Sequence, residues 1–134
     1  MAEDYEALRE HARGYLQLAR NSLTFESYDE CLIHCYRAID RALQALLTFH
    51  HQQGPPTGES LEKLCAVLTI SPTDPALLAI IEKAYEARAG SLALDSEGER
   101  MFSALEAAEG LRVATEVLRT VEKRMSGKND AGRG

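Results

Sequence analysis

The sequence predicts an all-α bundle, and three observations carry that expectation. Ala, Leu and Glu number 19, 18 and 15 among 134 residues, while Ile and Val number only 5 and 4. Helices favour the first group and strands the β-branched second. Gly at 9 and Pro at 4 are too few for a turn-rich sandwich. Apolar residues also recur at steps of three and four instead of alternating. With 45% hydrophobic and 27% charged residues the chain can build a core. Its length suits a single domain, placed here at residues 1–125 with a fraying polar tail over 126–134.

Five segments account for the bundle, four long helices and one short one joined up-and-down. In the first, Tyr5, Leu8, Ala12, Tyr15, Leu16, Ala19 and Leu23 form one apolar stripe. The second opens on Ser27-Tyr28-Asp29-Glu30, which has the spacing of a capping box, and runs to about Gln53 before Gly54-Pro55-Pro56. That is a rod of roughly 37 Å. A short helix follows over Leu61–Leu68, led in by Thr57-Gly58-Glu59-Ser60. Asp74 as cap with Pro75 in the first turn starts the fourth helix, striped by Leu77, Ile80, Ile81, Ala84 and Tyr85. Ser96-Glu97-Gly98-Glu99 is expected to open the fifth, with Leu111, Ala114, Leu118, Val121 and Met125 buried. Short loops make neighbouring helices antiparallel.

Three stripes separate on the second helix. Leu32, Tyr36, Ile39, Leu43 and Leu46 are large and apolar, while Cys31, Cys35, Ala38, Ala42 and Ala45 are small. His34, Arg37, Arg41, Gln44, Thr48 and His51 are polar. More than half the circumference is apolar, so this helix belongs at the centre. The slim start of the fifth helix, Ala104, Ala107, Ala108 and Gly110, is its expected partner along the small stripe.

Several function classes are excluded at this level. A formal charge of −6 argues against coating duplex DNA through a global field. Apolar runs such as Ala76–Ile81 fall far short of the roughly 18–20 residues of a membrane span. Met1-Ala2-Glu3-Asp4 has neither a basic nor an apolar signal region, and three cysteines make no disulfide framework, so a cytoplasmic location is expected. Cys31, His34 and Cys35 share one helical turn, but the third cysteine, Cys65, lies on a distant short helix. Small-residue packing is the expected role of Cys31 and Cys35, with no metal and no cofactor. His50-His51 suits the carbonyl end of a helix. No phosphate loop, nucleophile elbow or His-Glu-x-x-His is present. What stands out is His34, Arg37, Arg41 and His51, a concentration of positive potential in an acidic chain. Arg37 and Arg41, one turn apart, have the spacing to fork onto a phosphate or onto a partner's carboxylates. The bland alternative is a solvated face neutralised by Asp40 or by neighbouring Glu residues.

The order of elements then resembles a known family. Tyr28-Asp29-Glu30-Cys31-Leu32 is followed by Cys35-Tyr36-Arg37-Ala38-Ile39-Asp40-Arg41-Ala42-Leu43. After a Pro/Gly break come the Leu61–Leu68 helix, Glu86-Ala87-Arg88 late in the fourth helix, and a long last helix. Over roughly residues 5–125 this is similar to the HEPN helical bundles, a pattern of apolar and small residues that tetratricopeptide and other helical-hairpin modules share in part. Ribonuclease members carry an Arg followed, after four to six residues, by a His. Arg88 sits near where that Arg would fall, yet positions 93 to 95 are Ala93, Leu94 and Asp95, and all four His lie at 11, 34, 50 and 51.

The resemblance without that motif implies a non-catalytic binding or accessory module, homodimeric, acting with nucleotides, RNA or a separately encoded nucleotidyltransferase-type protein. The ligand-binding candidates are His34, Arg37, Arg41, His51 and Arg88. The alternatives are a degenerate ribonuclease toxin using Arg88, and a tetratricopeptide-like adaptor that grips a peptide. Two apolar faces on the second helix and a long last helix argue for a two-fold dimer. Light scattering at micromolar concentrations should therefore give twice the chain mass; a monomer alone would remove the expectation.

Overall fold

The computed structural model describes residues 5–50, 60–70, 74–89 and 102–133, with the side chains of 87–89 and 127–133 outside the described set. Within those residues the chain is helical throughout: α1 (Tyr5–Thr24), α2 (Tyr28–Phe49), α3 (Leu61–Val67), α4 (Pro75–Ala89) and α5 (Ala104–Arg133). This is the four-long, one-short bundle expected. At 22 residues α2 is a rod of about 33 Å, and it touches each of the other four helices.

The centrality of α2 follows from its stripes. Leu32, Ile39, Leu43 and Leu46 are fully enclosed, and so are Cys31, Cys35, Ala38, Ala42 and Ala45. The slim start of α5 does approach α2: Ala107 is buried, and its carbonyl lies 3.7 Å from the Cys31 thiol. Gly110 sits so close that a Cβ there would stand 2.4 Å from Leu32 Cδ2. The glycine is therefore a packing device, pressed against the large stripe as well as the small one. The three cysteines are buried and unpaired by disulfide, with Cys31 inside this contact.

The helix ends differ from expectation in instructive ways. Ser27 makes no side-chain cap on α2. A capping box needs the Ser27 N–H for the Glu30 carboxylate, and that N–H already donates to the Ser22 carbonyl at 2.8 Å. The bond belongs to a Schellman closure of α1, completed by the Glu26 N–H donating to Leu23 at 3.0 Å, with Glu26 at φ 63°. At its other end α2 stops at Phe49 instead of about Gln53. The His50 N–H is shared between the carbonyls of Leu46 and Leu47, the tightening that ends a helix. Residues Gly54-Pro55-Pro56 lie outside the described residues. So does the Ser96 box, whereas α5 begins at Ala104 on a different and complete capping box. There the Ser103 N–H donates to Glu106 Oε1 at 3.0 Å and the Glu106 N–H to Ser103 Oγ at 3.1 Å. The expected polar tail from Ser126 is instead a continuation of α5 to Arg133. The segment holds no proline, and propagating an existing helix is far easier than starting one.

Other expected signals act as written. The Asp74 carboxylate accepts from the N–H groups of Ala76 and Leu77 ahead of Pro75, and Ser60 Oγ accepts from Lys63. Glu82 on α4 accepts from the Leu61 N–H, pinning α3 to α4. The far end of α3 closes with Thr69 at φ 57°, and Arg124 of α5 donates to the Leu68 and Thr69 carbonyls at 2.7 and 3.2 Å. No helix among the described residues is long and apolar enough to cross a membrane.

One chain already covers both apolar faces of α2, so that helix no longer argues for self-association. Among the described residues, the large apolar side chains left exposed are Leu18, Phe25, Val67 and Leu105.

Glu26 in the left-handed region costs about 1 kcal/mol relative to glycine, because its Cβ crowds the following carbonyl. Glu26→Gly should stabilise the fold by about that amount and raise the melting temperature by a few degrees, read by thermal circular dichroism. An unchanged or lower melting temperature would show that the turn bears no such strain.

Candidate functional site

Because α2 is apolar on every other side, its polar residues converge on one stripe, which faces α1 on one flank and α4 on the other. The Arg37 guanidinium lies between two rings, 5.9 Å from the centre of Tyr15 on α1 and 6.0 Å from that of Tyr85 on α4. Arg41, one turn along, lies 5.8 Å from the same Tyr15 ring. All three distances are those of cation–π attraction. Tyr36 stacks on Tyr85 with ring centres 3.9 Å apart and 11° between planes, and the ring of His34 stacks on Tyr15 at 6.2 Å.

The two arginines differ in compensation. Arg41 donates to Asp40 Oδ2 at 2.8 Å, and Gln44 donates to the same oxygen at 2.8 Å. Arg37 has no carboxylate within ion-pair distance among the described residues. The neutralised-face reading therefore holds for Arg41 and not for Arg37. Burial pushes the Asp40 carboxyl up, while the Gln44 and Arg41 bonds pull it back. Burial, then Asp40 and Tyr85, raise the Tyr36 hydroxyl to about 12, so it stays a protonated donor.

His34 is held with its Nδ1 buried and without a hydrogen-bond partner among the described residues, and its Nε2 lies 3.7 Å from Glu30. Burial lowers its pKa, Glu30 opposes that, and Arg37 adds to it. Beside Arg41 a cavity of about 400 Å³ opens between α1 and α2. Its walls include Tyr15, His11, Leu18 and Gly14, where an added Cβ would meet nothing within 4 Å.

Of the expected ligand-binding residues, the fold brings His34, Arg37 and Arg41 together around Tyr15. His51 lies outside the described residues. Arg88 is placed on α4 one turn past Tyr85, with its side chain outside the described set. Sequence reasoning missed the aromatic half of the site: Tyr15 and Tyr85 read as stripe residues, although both stand at the polar margin of their stripes. No group of three or more His, Cys, Asp or Glu among the described residues is arranged to hold a metal ion.

An antiparallel bundle, with five helices among the described residues and a basic, aromatic-flanked stripe on its central helix, defines the class. The HEPN domain profile matches residues 5–124, and the chain belongs to the HEPN family. It is also similar to the crystal structure of an archaeal HEPN homologue, with a TM-score of 0.63 over 92% of this chain and 98% of that one at 15% identity, a likeness that speaks for the fold. No curated protein matches the chain.

The depressed His34 pKa has a signed consequence. The unfolded state takes up a proton near pH 6.5 and the folded state only at lower pH. Stability from neutral His34 is therefore fully present above about pH 6.5 and is lost as pH falls toward the folded-state pKa. Urea melts at pH 7.5 and 5.5 should show a smaller acid loss for His34→Gln than for wild type. Equal losses would mean that the buried ring does not resist protonation.

Proposed function

We propose that the chain is a non-catalytic HEPN-type accessory module that holds the phosphates of a nucleotide or of RNA on the α2 stripe. It acts beside a nucleotidyltransferase-type protein. The supporting observation is Arg37, held between two tyrosine rings with no carboxylate within ion-pair distance among the described residues. Ring contacts hold a guanidinium without neutralising it, so its N–H fork is preorganised for an oxyanion. Arg41 adds a second, half-compensated charge, and the adjoining cavity gives the rest of a ligand room against Tyr15.

Proton transfer needs a base presented to a 2′-hydroxyl together with a cation for the phosphorane charge. His34, the histidine at this cluster, has Nδ1 enclosed and Nε2 near Glu30, which favours binding over cleavage. For a homodimer, the support is apolar surface at one end. Glu122 meets Arg13 midway along α1 while Ala107 meets Cys31 just past the α1–α2 turn, so α1 and α5 run antiparallel and Phe25 and Leu105 lie at the same end of the bundle. They are 77% and 70% exposed.

Calorimetric titration of wild type with ATP should give binding that Arg37→Ala weakens 10- to 100-fold. That corresponds to the loss of about 1.5–3 kcal/mol for a hydrogen bond to a charged group. No binding by wild type, or equal affinity in the variant, overturns the site. Single-stranded RNA should not be cut above background without metal, and Arg88→Ala should leave that background unchanged. Cleavage that falls about a hundredfold in Arg88→Ala or His34→Ala, about 2.7 kcal/mol of transition-state stabilisation, would make the protein an enzyme.

A further inference from the structure

A second basic groove lies on another face of α1, away from Tyr15 and Gly14. It runs between α1 and α5, holds about 370 Å³, and has Leu16 and Leu118 as its floor. The arginines of these two helices sort clearly. Arg13 donates to Glu122 at 2.8 Å and lies 3.3 Å from Glu10; Arg9 stands 3.8 Å from Glu10. Arg112 pairs with Glu109 at 2.9 Å, and Arg124 is spent on the carbonyls of Leu68 and Thr69. Among the described side chains, Arg20 and Arg119 are the arginines of α1 and α5 with neither a carboxylate nor a carbonyl partner, and both line this one groove.

Two like charges brought to one concavity of an acidic chain repel unless an anion lies between them. The apolar floor strengthens that attraction by keeping water off one side, as Leu16 and Leu118 are 4% and 5% exposed. Acceptors occupy the rest of the groove. Thr115 donates its proton to the Leu111 carbonyl at 2.8 Å, which leaves its oxygen to accept. Gln17 donates its amide to Asn21 at 3.2 Å, which leaves its carbonyl. Glu122 presents a carboxylate already oriented by Arg13. Because the helices are antiparallel, Glu122 stands at the Arg13 end and Arg20 beside Thr115 at the other. A fitting ligand therefore carries an oxyanion at one end and hydroxyl donors along its body.

The geometry points to a binding site for a small hydroxylated phosphate monoester of sugar-phosphate size, its phosphate between Arg20 and Arg119 and its hydroxyls toward Gln17 and Glu122. This site is independent of the Arg37 stripe and stands or falls without it.

The test uses the full chain and three probes: ribose 5-phosphate, inorganic phosphate and ribose, each titrated by calorimetry. Ribose 5-phosphate should bind at least tenfold more tightly than inorganic phosphate, and ribose should give no measurable heat. Arg20→Ala/Arg119→Ala should lose at least tenfold in affinity for ribose 5-phosphate, with helicity by circular dichroism unchanged because both side chains are exposed. Glu122→Gln should shrink the preference over inorganic phosphate, while Arg112→Ala, at an exposed arginine paired with Glu109 outside both basic surfaces, should leave all three titrations as in wild type. Equal binding of phosphate and ribose 5-phosphate overturns the sugar-phosphate assignment. No binding by wild type, retained affinity in the double variant, or an equal loss in Arg112→Ala overturns the site.

Discussion

The close approach of α5 to α2 is the constraint on which the rest of the structure depends. Ala107 and Gly110 let the last helix settle onto Cys31 and Leu32, and Gly110 leaves no room for even a methyl group without moving Leu32. Once α5 occupies that side, α1 and α4 close the others, and the apolar circumference of α2 is consumed by one chain. Its polar residues then have a single direction in which to face. The basic stripe is in this sense a by-product of packing: His34, Arg37, Arg41, Gln44 and Thr48 share one strip of α2 because its other strips are filled.

That confinement also explains the uneven electrostatics of the stripe. Asp40 is half-buried and would be costly alone, so Arg41 and Gln44 both bond its Oδ2. Partial burial of a carboxylate with two donors is a stable local solution. It uses up Arg41 and leaves Arg37, one turn earlier, facing rings instead of acids. The tyrosines that flank Arg37 come from helices on opposite sides, so the spacing of α1 and α4 across α2 sets the width of its slot. A change in core volume between those helices would be felt there before anywhere else on the surface.

Much of the fold was legible in the sequence because it rests on periodicity. The stripes of α1, α2 and α5 face the core as written, with Tyr5, Tyr15, Leu23, Tyr36 and Leu111 half-buried at their margins, and Asp74-Pro75 and Ser60 start helices where their chemistry says they should. What failed was punctuation. Ser27 has the spacing of a capping box, but its N–H had already been taken by the closure of α1, a competition that only the three-dimensional turn reveals. Two helices end on left-handed Glu26 and Thr69, where a sequence reader looks for glycine. The site was half legible: the cations shared one helix and could be aligned by counting, whereas Tyr15 and Tyr85 reach them from other helices. The α1/α5 groove was not legible at all. Arg20 and Arg119 are 99 positions apart, and which arginines keep a carboxylate is a property of the fold.

α1 separates the two basic surfaces, and its sequence shows how one helix serves both. Leu8, Ala12, Leu16 and Ala19 hold it to the core along a narrow seam. Gly14 and Tyr15 look to one flank of that seam and Arg13, Gln17 and Arg20 to the other. A seam built partly of alanine lets α1 lie close to α2, which brings the Tyr15 ring within 6 Å of both guanidiniums. Larger residues at Ala12 and Ala19 would lift the helix and widen the Arg37 slot. They would also shift Arg13 and Arg20 along α5, away from Glu122 and Arg119. The small residues of α1 thus set two distances at once, as those of α5 set the depth of α2, and the chemistry of each face follows from how closely its helices are allowed to meet.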